Sequence, residues 1–243
     1  MKTDKTALID GDLFIYRLTS ASETEIDWGN DLWTLHSDSR SIKALFDSEM
    51  DQIMSKLRCS KLIVALSDGS NFRKKLDPGY KSHRKGRKPL AYGGIRDYVY
   101  HKYKVAIMPH LEADDVLGIL SSTTKRSIIV SWDKDMGQVP GHHYDPLQNV
   151  TRIVTSEGGW MYFLTQVLTG DKTDGYAGLP GCGPVKAEKI LSASPTWQAV
   201  LEAYAASGYG ETYALRQARL AYILKRKEEY CTKTNTVNLW TPV

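Results

Sequence analysis

The chain has 243 residues, 42% of them hydrophobic and 25% charged, enough to bury one sizeable α/β core. No apolar run reaches membrane-span length and the opening MKTDKTALIDGD lacks a signal-peptide core, so a cytoplasmic protein without a membrane partner is expected. Three scattered cysteines, Cys59, Cys182 and Cys231, argue against a disulfide frame or zinc site, and a net charge of +4 conceals a basic block: residues 72–88 hold eight Lys or Arg and one Asp, a pattern that suits a polyanion.

Residues 6–10 (TALID) read as a short buried strand. Asp10 stands at its C-terminal end, where α/β sheets place their chemistry, and Asp12 fits a cap for the helix that continues with LFIYRL. Residues 20–38 are a polar excursion, read as a short hairpin around Trp28 and Trp33. Helical spacing at Ile42, Leu45, Phe46, Ile53, Met54 and Leu57 predicts a helix over residues 39–57. Residues 61–66 (KLIVAL) form a second buried strand that runs into Ser67-Asp68-Gly69, so Asp68 occupies a strand end as Asp10 does. Within the basic block, Asp77-Pro78 reads as the N-cap and first residue of a helix that continues towards Lys88 and stops at Pro89. On that helix Tyr80, Lys81 and Arg84 share a face, a ring for a base beside two cations for a phosphate. Lys74, Lys75 and Lys85 extend the basic surface; a solvated amphipathic helix gives the same pattern.

Residues 95–103 follow as helix and 104–108 (KVAIM) as strand. Glu112, Asp114 and Asp115 then open an apolar helix. Acidic residues at a helix start satisfy its free N–H groups, but three in four positions exceed that need. Residues 127–132 (SIIVSW) form a strand ending in Asp133-Lys134-Asp135, whose carboxylates point the same way under strand alternation. A strand over 151–155 and a helix over 157–168 deliver the chain to Gly170, where GDKTDGYAGLPGCGPVKAEKIL begins. This stretch carries Asp171 and Asp174. Its residues 178–191 read as a helix-hairpin-helix whose turn, with Gly181 and Gly183, and whose Lys186 and Lys189 take backbone phosphates without reading sequence. A plain helical turn with a glycine cap is the bland alternative. Helices over 195–206 and 211–229 close the pattern.

Asp10, Asp68, Glu112, Asp114, Asp115, Asp133, Asp135, Asp171 and Asp174 all fall at strand ends or helix starts, which a doubly wound parallel sheet brings to one edge. So many carboxylates are not stable dry and unpaired. Mg2+ suits them, since it binds through few carboxylates, several waters and a substrate phosphate; Mn2+ is its natural substitute. Two ions about 3.5–4 Å apart can flank a phosphodiester, one activating water and one stabilising the leaving oxygen.

In order and spacing, LIDGD, SDG at Asp68, FRKKLDPGYKSHR, EADD, WDKD and the Gly170 stretch resemble the flap endonuclease / 5′-3′ exonuclease family, in particular its T7-like phage branch and the 5′-nuclease domain of DNA polymerase I. The resemblance covers nearly the whole chain. It implies a mostly parallel α/β sheet flanked by helices (PIN/5′-nuclease-like), with residues 1–170 as nuclease core including a basic arch over 72–104. Residues 171–243 would be the helix-hairpin-helix and C-terminal helices packed on that core. It implies Asp10, Asp68, Glu112, Asp114 and Asp115 as one Mg2+ cluster and Asp133, Asp135, Asp171 and Asp174 as another, partly through water. It implies Arg73, Lys81 and Arg84 at the scissile phosphate, Tyr80 stacked on a base, and a K+ ion on the hairpin carbonyls. The expected activity is 5′-3′ exonucleolytic hydrolysis of duplex DNA, with 5′ flaps and RNA–DNA hybrids as further substrates. Asp77-Pro78-Gly79 interrupts what would be a continuous arch helix in the polymerase-linked relatives, which favours an exonuclease over a flap specialist. Two alternatives stand beside this one. A haloacid-dehalogenase-type phosphatase matches Asp10-Gly11-Asp12 but has Phe14 where its motif wants Thr or Val; a non-catalytic structure-specific DNA-binding protein leaves the carboxylates without a purpose.

Overall fold

Strand alternation orders the core from the first element. In β1 (Thr6–Asp10) all five residues are buried, with Ala7 and Ile9 in one apolar cluster and Leu8 in the other. The structure, a computed structural model, describes residues 4–242. β1 passes directly into α1 (Gly11–Ala21), and β2 (Thr24–Asp27) pairs antiparallel with β3 (Trp33–His36) as an exposed hairpin. The chain continues through α2 (Ser39–Leu57), β4 (Lys61–Ala65), α3 (Arg73–Leu76), α4 (Tyr92–Lys102), β5 (Val105–Ala106), α5 (Ala113–Thr123) and β6 (Ser127–Val130). A 3-10 turn (Lys134–Gln138) leads to β7 (Gly141–Asp145), β8 (Val150–Val154) and α6 (Ser156–Thr169). α7 (Pro184–Ala193), α8 (Trp197–Ala206), α9 (Glu211–Ala221) and the pair β9 (Tyr230–Cys231) and β10 (Thr236–Val237) complete it. No helix among the described residues is long and apolar enough to cross a membrane.

The main sheet has the order β5-β4-β1-β6-β7-β8, parallel except for β8 against β7. From β1 the chain builds outward through β4 and β5 and then returns to add β6 on the other side. β1 and β6 therefore flank the switch point, and the crevice beyond their C-terminal ends is where such sheets bind ligands. The cluster of α1, α2 and α4 covers one face. The other cluster runs unbroken from Leu8 through Val116, Phe163, Leu191, Val200 and Ala218 to Trp240, so residues beyond 170 share one core with the sheet.

Three expectations are corrected, and one strand lies where none was expected. The helix over 78–88 does not form: Asp77 is extended, Lys81 is left-handed at φ 53°, and single turns link Tyr80 to Asp77, Ser82 to Gly79 and Arg84 to Lys81. Burial of Tyr80, 2% exposed, draws the chain inward, and the Lys81 N–H donates to the Asp174 carbonyl at 2.8 Å, so the backbone serves long-range partners instead of a helix. Asp133-Lys134-Asp135 is not strand: the Asp133 carboxylate accepts from the Asp135 N–H at 2.7 Å and opens the 3-10 turn. α9 ends at Ala221, not near Glu229, because the Leu220 and Tyr222 carbonyls accept from Arg73 and the Leu224 N–H donates to Asp115. Gly118 allows that segment to pass, since a Cβ there would lie 2.1 Å from the Leu224 carbonyl oxygen. Lastly, β7 was not anticipated, because GHHYD lacks an apolar run.

Candidate active site

Two acidic groups meet beyond the C-terminal ends of β1 and β6. The first joins Asp10 at the end of β1, Asp114 in the first turn of α5 and Asp133 just after β6. Asp10, 2% exposed, caps α1 by accepting from the Leu13 N–H at 3.4 Å and accepts from Ser131 Oγ at 2.9 Å. Burial, then the charges of Asp12 and Asp133, push its carboxyl up to about 7. Burial, then Asp10 and Asp133, likewise raise Asp114 well above the usual carboxylate range. Like charges in a dry setting disfavour ionisation, and no cation close to Asp10 or Asp114 offsets them fully.

The second group is clasped by cations. Lys81 Nζ lies 2.5 Å from Glu112 Oε1 and 3.4 Å from Asp174 Oδ2, Arg84 Nη2 donates to Asp174 Oδ1 at 2.8 Å, and Lys134 Nζ donates to Asp171 Oδ2 at 2.7 Å. Burial alone would raise Glu112; Lys81 and Arg73 outweigh it and hold the carboxyl down at about 2. Burial of Asp171 is outweighed in the same way by Lys134, whose hydrogen bond and charge keep it low. Asp135 is pushed up to about 6 by burial and then by Asp133; it accepts from Gln166 Nε2 at 2.7 Å and lies 3.4 Å from the Tyr162 hydroxyl. A cavity of about 20 Å³ sits where Tyr80, Glu112, Asp114, Asp135, Asp174 and Tyr176 converge. With Lys81 between Glu112 and Asp174, no set of three His, Cys, Asp or Glu side chains among the described residues stands as a ready metal cage.

A family profile described as "5′-3′ exonuclease, N-terminal resolvase-like domain" matches residues 5–158, the stretch that carries Asp10, Glu112, Asp114, Asp133 and Asp135. This chain belongs to the 5′-3′ exonuclease family. It is a nuclease, which displaces the phosphatase and the non-catalytic alternatives. The exonuclease is 30% identical to the exonuclease of Escherichia phage T7 over 205 residues, covering 78% of this chain and 67% of the relative. It is 26% identical to the exodeoxyribonuclease of Enterobacteria phage T3, covering 98% and 94%. In fold it is similar to the bacteriophage T5 flap endonuclease solved with DNA and metal ions, at a TM-score of 0.69 and 12% identity, over 90% of this chain and 89% of that one.

Within the exonuclease, three expected site residues turn inward. Arg73, 2% exposed, forms a bidentate pair with Asp115 (2.7 and 2.8 Å) and donates to the Leu220 and Tyr222 carbonyls, so it faces no solvent-borne phosphate. Asp115, 0% exposed, spends its oxygens on Arg73, the Leu224 N–H and the Glu112 N–H. Tyr80 offers no free ring face to a base; its hydroxyl oxygen lies 2.9 Å from Glu112 Oε2 and 2.8 Å from Asp174 Oδ2, and its single proton is shared between them. The causes are two: Arg73 and Asp115 pair with each other and with the main chain at 220–224, and the turn over 77–84 packs the Tyr80 ring against the acidic groups. Asp68 stands apart: Ser70 Oγ at 2.6 Å and the His110 N–H at 2.9 Å hold it down at about 2.

The glycine stretch is displayed outward. Gly183 precedes α7 with no side-chain cap, Pro184 is its first residue, and Gly181, Lys186 and Lys189 are exposed. Gly181 has φ 74°, which a side chain disfavours, and no atom lies within 4 Å of where its Cβ would be. Lys74, Lys75 and Lys85 are exposed as well, whereas Arg87 is tied to Glu23 at 2.7 and 2.9 Å. Asp12 escaped the expected site because it reads as a cap, yet Asp10 is the cap and Asp12 presses on it while accepting from the Ser67 N–H at 2.9 Å. Lys134, Gln166 and Tyr162 carried no signal in the sequence beyond their neighbours.

Proposed function

We propose that this exonuclease is a Mg2+-dependent 5′-3′ exodeoxyribonuclease acting on duplex DNA, with 5′ flaps and RNA–DNA hybrids as further substrates and the cytoplasm as its place of action. The observation that carries the cofactor is the trio Asp10, Asp114 and Asp133, in which burial and like charge raise Asp10 and Asp114 and the charge of Lys81 offsets the rise of Asp114 only in part. Hard oxygen donors under that strain fit a divalent cation better than any protein group does. Asp10, Asp114, Asp133 and Glu112 would hold one ion; Asp135, Asp171 and Asp174 would hold a second, and Asp68 would act from the rim. Bound there, the ions supply an activated water and charge neutralisation at the phosphodiester, with Mn2+ able to replace Mg2+.

The chain's own residues do the rest. Lys81, mostly buried on Glu112 and Asp174, and Arg84, exposed on Asp174, turn to the scissile phosphate, where they offset the charge that develops. Tyr80 holds Glu112 and Asp174 in register from beneath. The free amides at the start of α7, with Lys186 and Lys189, grip duplex backbone, and turn carbonyls there offer a K+ site. Lys74, Lys75 and Lys85 widen the phosphate-binding surface. In this arrangement residues 1–170 carry most of the cutting groups, Asp171 and Asp174 complete them, and the remainder of 171–243 holds the duplex. Duplexes labelled at the 5′ or 3′ end, with and without a flap or RNA primer, test it in one gel. Short 5′-labelled products with Mg2+ and none in chelator are expected; release from the 3′ end, or cutting in chelator, overturns the proposal.

A further inference from the structure

Asp135 is held by a path that starts near the other end of the chain. Beyond Ala221, where α9 stops, the Ile223 N–H donates to Gln138 Oε1 at 3.3 Å and Gln138 Nε2 donates to the Ala221 carbonyl at 2.7 Å. A backbone N–H only donates and a carbonyl only accepts, so these contacts decide which end of the Gln138 amide is which. Gln138 Nε2 also donates to Gln166 Oε1 at 2.5 Å. The Gln166 amide is thereby oriented in turn, leaving its Nε2 to donate to Asp135 Oδ1 at 2.7 Å. Gln138 is 0% and Gln166 7% exposed, so bulk water does not compete for these bonds. Asp135 forms no ion pair among the described residues, whereas Asp171 and Asp174 beside it do.

We propose that Gln166, oriented by Gln138, is a positioning residue that holds Asp135 as an acceptor-only carboxylate, so that the main chain at 221–223 sets divalent-cation affinity in the second acidic group. A neutral amide aims a carboxylate without cancelling its charge, as the outer partners of metal-binding side chains do. The inference rests on the proposed role of Asp135. The segment responsible lies outside the stretch matched by the family profile and supplies no carboxylate of its own.

The test uses Gln166→Leu, Gln138→Leu and the double variant of the full chain. Mn2+ alone is titrated into DNA-free protein and the free ion read by paramagnetic resonance; single-turnover cleavage and DNA affinity in chelator are measured alongside. Gln166→Leu should weaken Mn2+ binding and slow the single turnover by about 10–100-fold. DNA affinity in chelator should stay within about twofold, which general damage to the fold would not allow. Gln138→Leu should move the same way with Gln166 intact, and the double variant should be no worse than the worse single, because both act along one path. Wild-type Mn2+ affinity and rate in Gln166→Leu overturn the inference, as do additive losses. Should Gln166→Leu fail to fold, Gln166→Met, of similar length and without a donor, is read by the same criteria. Full cleavage by Asp135→Ala would overturn the role of Asp135 itself; an inactive Asp135→Ala beside a normal Gln166→Leu would overturn only the positioning.

Discussion

The two acidic groups are built from the same residue types a few residues apart, yet, Asp135 excepted, their electrostatics run in opposite directions. Asp10 and Asp114 are raised by burial and by each other, while Glu112 and Asp171 are held low by Lys81 and Lys134. The difference lies in where cations can reach. The turn over 77–84 drops Lys81 between Glu112 and Asp174, and the 3-10 turn brings Lys134 to Asp171. Among the described residues neither Asp10 nor Asp114 forms an ion pair, and the charge of Lys81 reaches Asp114 without offsetting its burial. A carboxylate next to a lysine is stable as it stands; one among carboxylates is stable only when something positive arrives.

The largest expected effect tests the uncompensated half. Asp114→Asn should cut cleavage on the order of a hundredfold to a thousandfold. In chelator the same variant should melt above the wild type, because a buried charge without a partner has gone. A lower melting temperature would show that Asp114 is compensated after all, and the contrast between the groups would fail.

The clasped half should answer with the opposite sign. Lys81→Met leaves Glu112 and Asp174 facing each other, and breaking such a mostly buried pair costs about 3 kcal/mol. Urea unfolding in chelator measures the loss, and added Mg2+ should recover part of it by taking the vacated place. Stability unchanged in chelator would mean that Lys81 is not the group that holds these carboxylates down.

His143 supplies a reference for burial alone, away from either group. It is 3% exposed, its Nε2 lies 2.7 Å from the Val139 carbonyl, and burial depresses it from 6.5 to about 4. A depressed imidazole leaves the unfolded chain with more bound protons between those values, so its stability contribution is complete above about pH 6.5 and is lost as pH falls towards about 4. Unfolding free energy should fall by about 2 kcal/mol from pH 7 to pH 5 on this account. His143→Gln should flatten that slope; an unaltered slope assigns it to other groups.

Local patterns carried much of this in advance. The spacing from Ile42 to Leu57 marked α2 at its observed bounds, and the short run from Thr6 to Ile9 marked β1 and placed Asp10 at its end. Asp77-Pro78 shows the limit. By local preference it starts a helix, but Tyr80 gains more from burial against the acidic face than the segment would gain from helical hydrogen bonds, and the helix is lost. Arg73 and Tyr80 looked like surface residues because nothing nearby in sequence marks them as buried; their partners Asp115 and Asp174 lie far along the chain.

From the sequence alone came the identity of most strands and helices, the placing of carboxylates at their ends, and the family. Those rest on period, capping and motif order, which act over a few residues at a time. Only the tertiary structure decided which carboxylates receive a lysine, that Arg73 is buried on Asp115, and that hydrogen bonds run from the main chain after α9 through two glutamines to Asp135. Such choices depend on desolvation and on contacts between distant segments, and these exist only once the sheet has brought its strand ends together.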